Sequence, residues 1–193
     1  MSRSWTLTVR IAALAAVLMT GACALGPKPQ MAVGSYDFGP PAAASTLPLK
    51  GLAGIEVTAP RWLDSVNTWY RLGYANPAQP LAYSQPRWVM PPATLIEARL
   101  RERVVAGGVV LGGAGPLLKI EIDEFAQVFD AEKSSRGALR ARATLHNGRE
   151  VLRQRQFVID EPAGSADGPG GVAALSRAAD RLVDAALAWA GER

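Results

Sequence analysis

The stretch "GPLLKIEIDEFAQVFDAEKSSRGALRARATLHNGREVLRQRQFVIDEP", residues 115–162, carries the plainest β pattern in the chain. Leu118, Ile120 and Ile122 alternate with Lys119, Glu121 and Asp123. Leu139, Ala141, Ala143 and Leu145 alternate with Arg140, Arg142 and Thr144. Successive side chains of a strand point to opposite faces, so each run has an apolar face and a polar one. Asn147-Gly148, between the second run and the third, is a strong hairpin signal. As the centre of a two-residue turn it sets Arg142 opposite Arg153 and Arg140 opposite Arg155. Four arginines then share one sheet face, where like charges directly opposite repel. With Ile122 paired to Ala143, Asp123 lies beside Arg142 as a counter-charge.

The flanks of this meander complete the fold. Downstream, "GGVAALSRAADRLVDAALAWAGER" places Val172, Leu175, Ala179, Leu182, Ala186 and Trp189 at spacings of three and four, a long helix with one apolar stripe. Upstream, "RWVMPPATLIEARLRERVVAGG" repeats Ile96, Leu100 and Val104 every four residues. Pro91 and Pro92 suit a helix start and Gly107-Gly108 a stop. Glu97, Arg99, Arg101, Glu102 and Arg103 supply its wet side. Before it come three short strands, in "LKGLAGIEVTAP", "NTWYRLGYANP" and "PLAYSQ", the last two joined as a hairpin by the turn at Asn76–Pro80. The order β-β-β-α-β-β-β-α predicts an α+β two-layer sandwich. Its sheet is mostly antiparallel, and two helices pack on one face.

The front end reads differently. Arg3 and Arg10 precede an apolar run, Ile11–Met19, and then Thr20, Gly21 and Ala22 lead to Cys23, the one cysteine of the chain. A basic region, a short apolar region and a small-residue exit describe an export signal. The run is too short to span a membrane, which takes about 20 residues. Small residues directly before Cys resemble a lipobox, with Thr20 where Leu is usual. In that resemblance Cys23 is acylated and residues 1–22 are removed. The other reading is an ordinary secretory signal cut near Ala22 or Ala24, which leaves a free thiol. Residues 23–48, rich in Ala, Pro and Gly, read as a tether in which "SYDFG" docks as a short edge strand. Residues 49–193 form the domain.

Charge and composition exclude several function classes. The chain has 21 Lys and Arg against 17 Asp and Glu. Arg3 and Arg10 leave with the signal, so the mature balance is 19 to 17, and nucleic acid, which needs a clustered basic footprint, is not a partner. The lone His146 precedes a turn, and one His with one committed Cys does not build a metal site. "GGVVLGGAGP" lacks the Lys-Ser/Thr ending of a phosphate loop and follows a helix. Neighbouring carboxylates such as Asp123-Glu124 point to opposite faces of a strand. No catalytic residue, cofactor or metal emerges. Two binding candidates do. One is an aromatic cluster, Trp62, Trp69, Tyr70, Tyr74, Tyr83 and Trp88, as a groove for lipid or protein or else as core. The other is the arginine ladder, Arg136, Arg140, Arg142, Arg153 and Arg155, as a site for phosphates or an acidic partner or else as a solvated face.

At "TWYRLGYANPAQPLAYSQPRWVMPPATLIEARLRERV", residues 68–104, the chain resembles the ABC-type transport auxiliary lipoproteins. "YDFGP", the Ile55-to-Asp64 pattern I-x-V-x-A-P-x-W-L-D, "LKIEIDEFAQVFD" and the last helix with Trp189 extend the resemblance over most of the mature chain. It implies a non-enzymatic lipoprotein of an intermembrane lipid transport system with a permease, a cytoplasmic ATPase and a periplasmic MCE-domain protein. It implies a membrane anchor through N-terminal acyl chains, and no established catalytic residues. Ala24 in place of Asp implies the outer membrane. A scaffolding lipoprotein of envelope assembly is the alternative. Exposed strand edges allow a homo-oligomer without fixing a count.

Overall fold

The structure is a computed structural model that describes residues 34–41, 49 and 51–192. Cys23, the export signal and the rest of the tether lie outside the described residues. The elements are β1 (Ser35–Tyr36), β2 (Gly51–Leu52), β3 (Gly54–Thr58), β4 (Asn67–Leu72), β5 (Leu81–Trp88), α1 (Pro92–Ala106), β6 (Val110–Leu111), β7 (Leu117–Ala131), β8 (Ser134–Asn147), β9 (Glu150–Pro162) and α2 (Gly168–Gly191). The main sheet runs β1-β5-β4-β7-β8-β9, with β3 also beside β7, and β2 and β6 make a small sheet of their own. This is the expected α+β sandwich. The hairpins β4–β5, β7–β8 and β8–β9 are antiparallel. The joins β3–β7, β4–β7 and β1–β5 are parallel, so the sheet is mixed.

β7 is long enough to hold two neighbours on one edge. Its first half pairs with β3, Gly54 to Leu117 through Thr58 to Glu121; its second half pairs with β4, Trp69 to Ala126 through Leu72 to Phe129. A bulge between Ile122 and Glu124 resets its alternation. Leu118, Ile120 and Ile122 and then Phe125 and Phe129 therefore all enter the core. There they meet Ile96, Leu100 and Val104 of α1 and Leu175, Leu182 and Val183 of α2. The segment 35–39 docks as expected: β1 pairs with β5, and Phe38 wedges against Trp88 and Phe125, ring centroids 5.5 and 6.0 Å away.

Small residues let α2 lie close on the sheet. A Cβ on Gly137 of β8 would stand 2.8 Å from the Ala174 backbone, inside van der Waals contact. Asp167 caps α2, accepting from Gly170 N at 2.8 Å. On α1, Arg99 and Arg103 are not on the wet side. They are 6% and 4% exposed, because the second helix packs over them and offers carboxylates: Arg99 reaches Asp180 at 3.4 Å and Arg103 reaches Asp184 at 2.6 Å. Arg99 also donates to the Gly39 carbonyl at 2.5 Å and so fastens the β1 segment to the domain.

The register of β8–β9 differs from the expected one. Asn147 lies opposite Glu150, which leaves Gly148 and Arg149 at the tip. Gly148 has φ 59°, and no non-Gly described residue has positive φ, so the turn follows the II′ pattern, with Gly first and Asn147 kept in the strand. The ladder then shifts between Leu145 and His146, with Leu152 as the extra residue of β9. Arg142 accordingly faces Gln156 and Arg140 faces Val158, while Arg153 and Arg155 lie opposite Leu145 and Ala143 on the helix side. An odd slip moves side chains to the other face, and the four arginines divide two and two. Ile122 likewise pairs with Ala141, so Glu121, not Asp123, stands opposite Arg142.

Candidate functional site

The sheet face turned away from the helices carries the charged side chains that the strands bring together. Arg140 of β8 donates to both carboxylate oxygens of Asp160 on β9, at 2.9 and 3.0 Å. Arg136 sits between Asp160, at 3.2 Å, and Asp130, with which it pairs closely. The hydrogen bond to Asp130 leads in pushing the Arg136 guanidinium up from its already high range. Arg71 of β4 bonds Glu124 of β7 at 2.8 Å, and Arg142 meets Glu121 at 3.4 Å. Each arginine thus has a carboxylate on a neighbouring strand. Exposed pairs of this kind contribute about 0–1 kcal/mol each. Their effect is to hold the guanidinium planes in place.

Trp62 and Trp69 meet edge to face at 5.6 Å on this side, and the Arg71 guanidinium stands 5.6 Å over the Trp62 ring. The other aromatic candidates are elsewhere. Trp88 is 1% exposed, in the core, and is removed from any contact surface. Tyr70 is on the helix side, 4.4 Å from Tyr83 and 6.0 Å from Phe129. Tyr83 donates to Gln127 Oε1 at 2.8 Å, and Gln127 Nε2 donates to Ser135 at 2.8 Å. Tyr74 is exposed at the β4–β5 turn. Arg153 and Arg155 close the C-terminal end of α2. Arg153 donates to the Trp189 carbonyl at 2.9 Å and lies 5.2 Å over its ring, a favourable place for a cation at a helix C-terminus. Arg155 lies 5.5 Å over Phe157 and 3.8 Å from Glu192.

Of the eleven residues singled out for binding, the open face therefore gathers Arg136, Arg140, Arg142, Trp62 and Trp69. Arg71 and Glu124 belong with them and were passed over, although period two places Arg71 on the same face as Trp69. Beside this group a cavity of about 320 Å³ is lined by Thr58, Ala59, Pro60, Glu121, Ile122, Asp123 and Arg142. A smaller one of about 140 Å³ lies between Phe38 and Leu95, next to Arg99. The chemistry assembled here is that of recognition: guanidinium, carboxylate and indole groups held on a rigid sheet. Among the described residues no group of three or more His, Cys, Asp or Glu could hold a metal ion, and no helix is long and apolar enough to cross a membrane.

A family model described as "ABC-type transport auxiliary lipoprotein component" matches residues 36–186. A crystal structure of a Xanthomonas campestris protein, of family model DUF330, superposes with a TM-score of 0.70 at 18% identity, covering 81% of this chain and 94% of that one. A second crystal structure, titled only as an uncharacterized protein, gives a TM-score of 0.57 at 14% identity and covers 76% and 96%. At these identities both likenesses speak for the fold. No curated protein matches the chain.

Proposed function

The chain belongs to the ABC-type transport auxiliary lipoprotein component family, and on that premise we propose that it is the non-enzymatic, outer-membrane-anchored subunit of an MCE-type intermembrane lipid transport system. The family match over residues 36–186 carries the reading. The export pattern ending at Cys23 supports it. Two or three acyl chains on Cys23 hold the protein stably where one would not. Transport energy comes from the partner ATPase. The domain contributes contact: its open face, with Trp62, Trp69 and the paired Arg71, Arg140 and Arg142, docks the periplasmic MCE-domain protein. Trp and Arg are the residue types that most often carry binding energy at interfaces, and the cross-strand ion pairs fix their positions before the partner arrives.

A pull-down from detergent-solubilised envelope tests this. Wild type brings down the MCE-domain protein. Arg140→Glu sets a second carboxylate beside Asp160 and loses the partner, while Arg155→Glu, on the helix side, keeps it. Absence of an MCE-domain protein from the wild-type eluate, or indifference to Arg140→Glu, overturns the proposal.

A further inference from the structure

The main sheet has a gap on its open face. β3 ends its pairing with β7 at Glu121 and β4 begins at Ala126, so residues 122–125 have no strand beside them on that edge. The β7 bulge falls in the same four residues. Bulges gather next to ligand sites because they re-aim side chains. The gap opens into the cavity of about 320 Å³, at the small end of ligand-pocket volumes.

Three ionic groups line it: Glu121, Asp123 and Arg142. Two carboxylates and one guanidinium give a net charge of −1, which the Lys119 ammonium 3.5 Å from Glu121 offsets, so Asp123 is the carboxylate left without a cation. The one ion pair among them, Arg142 to Glu121, is 3.4 Å long, against about 2.8 Å for a charge-assisted hydrogen bond. Asp123 is exposed and has no ion-pair partner among the described residues. Ala59 and Pro60 form the apolar side. An occupant that suits these groups brings a cation for the carboxylates and an anion for the arginine, close together on a small frame. A guanidinium fork favours a phosphate, and an ammonium has three donors to divide between two carboxylates. No aromatic ring lines the cavity, so it lacks the cage by which a quaternary ammonium is held.

We infer that this cavity binds a phosphoethanolamine group, its primary ammonium donating to Asp123 and Glu121 and its phosphate accepting from Arg142. The volume takes a head group and leaves acyl chains outside. That the group comes from a lipid, and not from a soluble diester, rests on the transport reading above.

The full chain, in maltoside detergent, is titrated with glycerophosphoethanolamine and followed by the phosphorus-31 linewidth of the ligand. Saturable broadening is expected, weaker with glycerophosphocholine and with glycerol 3-phosphate. Asp123→Asn and Arg142→Gln each weaken binding by about tenfold or more, the loss of one hydrogen bond to a charged group. Arg155→Gln leaves it unchanged. Removal of phosphatidylethanolamine from vesicles, in preference to phosphatidylglycerol, assigns the lipid source; soluble binding without such removal supports the site and assigns the free diester. Equal binding of the choline and ethanolamine diesters, unchanged binding by Asp123→Asn, or no broadening overturns the inference. The partner pull-down reads Arg140 and this titration reads Asp123, so each reading can fail while the other stands.

Discussion

Tyr83 shows how one side chain ties β5 to the layer beneath α2. Its hydroxyl donates to the buried Gln127, and burial, then the neighbouring Tyr70 and the Asp167 carboxylate, push its pKa from 10.0 up to about 12. An unfolded tyrosine loses its proton near pH 10. Between pH 10 and about 12 the unfolded chain therefore holds fewer protons at this position than the folded one, and stability falls as pH rises. Tyr83→Phe removes that dependence. Its Tm is expected to lie below wild type at pH 8, through the lost hydrogen bond of about 1 kcal/mol, and to meet and then pass it as pH rises from 10 toward 12. Parallel curves would show that Tyr83 is not the group responsible. The same scale explains what the sequence could not reveal about the arginines. Arg153 and Arg155 obey perfect alternation with Gln154 and Gln156, but alternation says only that they share a face, not which one. That depends on Leu152, the extra residue of β9 immediately before Arg153.

At the scale of elements, the meander, both helices and the β4–β5 hairpin were legible because each carries a long period or a clear stop signal. The β8–β9 register was not. Val151 and Leu152 are both apolar and both exposed, so nothing in the pattern marks one of them as surplus. Either Asn147-Gly148 or Gly148-Arg149 makes an acceptable turn centre. The parallel joins of β3 and β4 to β7 were equally hidden, since they lie between segments far apart in the chain. The bulge makes a direct prediction. Deleting Leu152 leaves Arg153 opposite Leu145 in a regular ladder, so the variant is expected to fold with a Tm within about 4 °C of wild type, the shift of ~1 kcal/mol in a domain this size. Deleting Gln156 instead puts every β9 residue on one side of the cut onto the wrong face, Phe157 and Ile159 or Arg153 and Arg155. That variant is expected to lose cooperative thermal unfolding. Equal melting curves for the two deletions would contradict the observed register.

For the whole molecule, the family was readable from the order and spacing of motifs across residues 36–186, and the fold followed the expected sandwich. The aromatic cluster was the least legible part. Six rings close in sequence read as one cluster, a groove or else core, whereas strand alternation sends Trp69 to one face and Tyr70 to the other, and Trp88 into the core. The anchor is tested at this scale too. On the proposed outer-membrane anchoring, Cys23→Ser in the full chain is expected to move the protein from the membrane fraction to the soluble periplasmic one on a density gradient, with the melting curve of the domain unchanged. Retention in the membrane would remove acylation from the account. The described chain enters the domain at Gly34, beside Arg87. Tension arriving along the backbone from that side is borne first by two residues of parallel pairing, the wedge of Phe38 and the grip of Arg99 on Gly39. The three long strands feel the load only after these give way. A tug hard enough to be felt should peel the molecule from this corner, with β7, β8 and β9 yielding last.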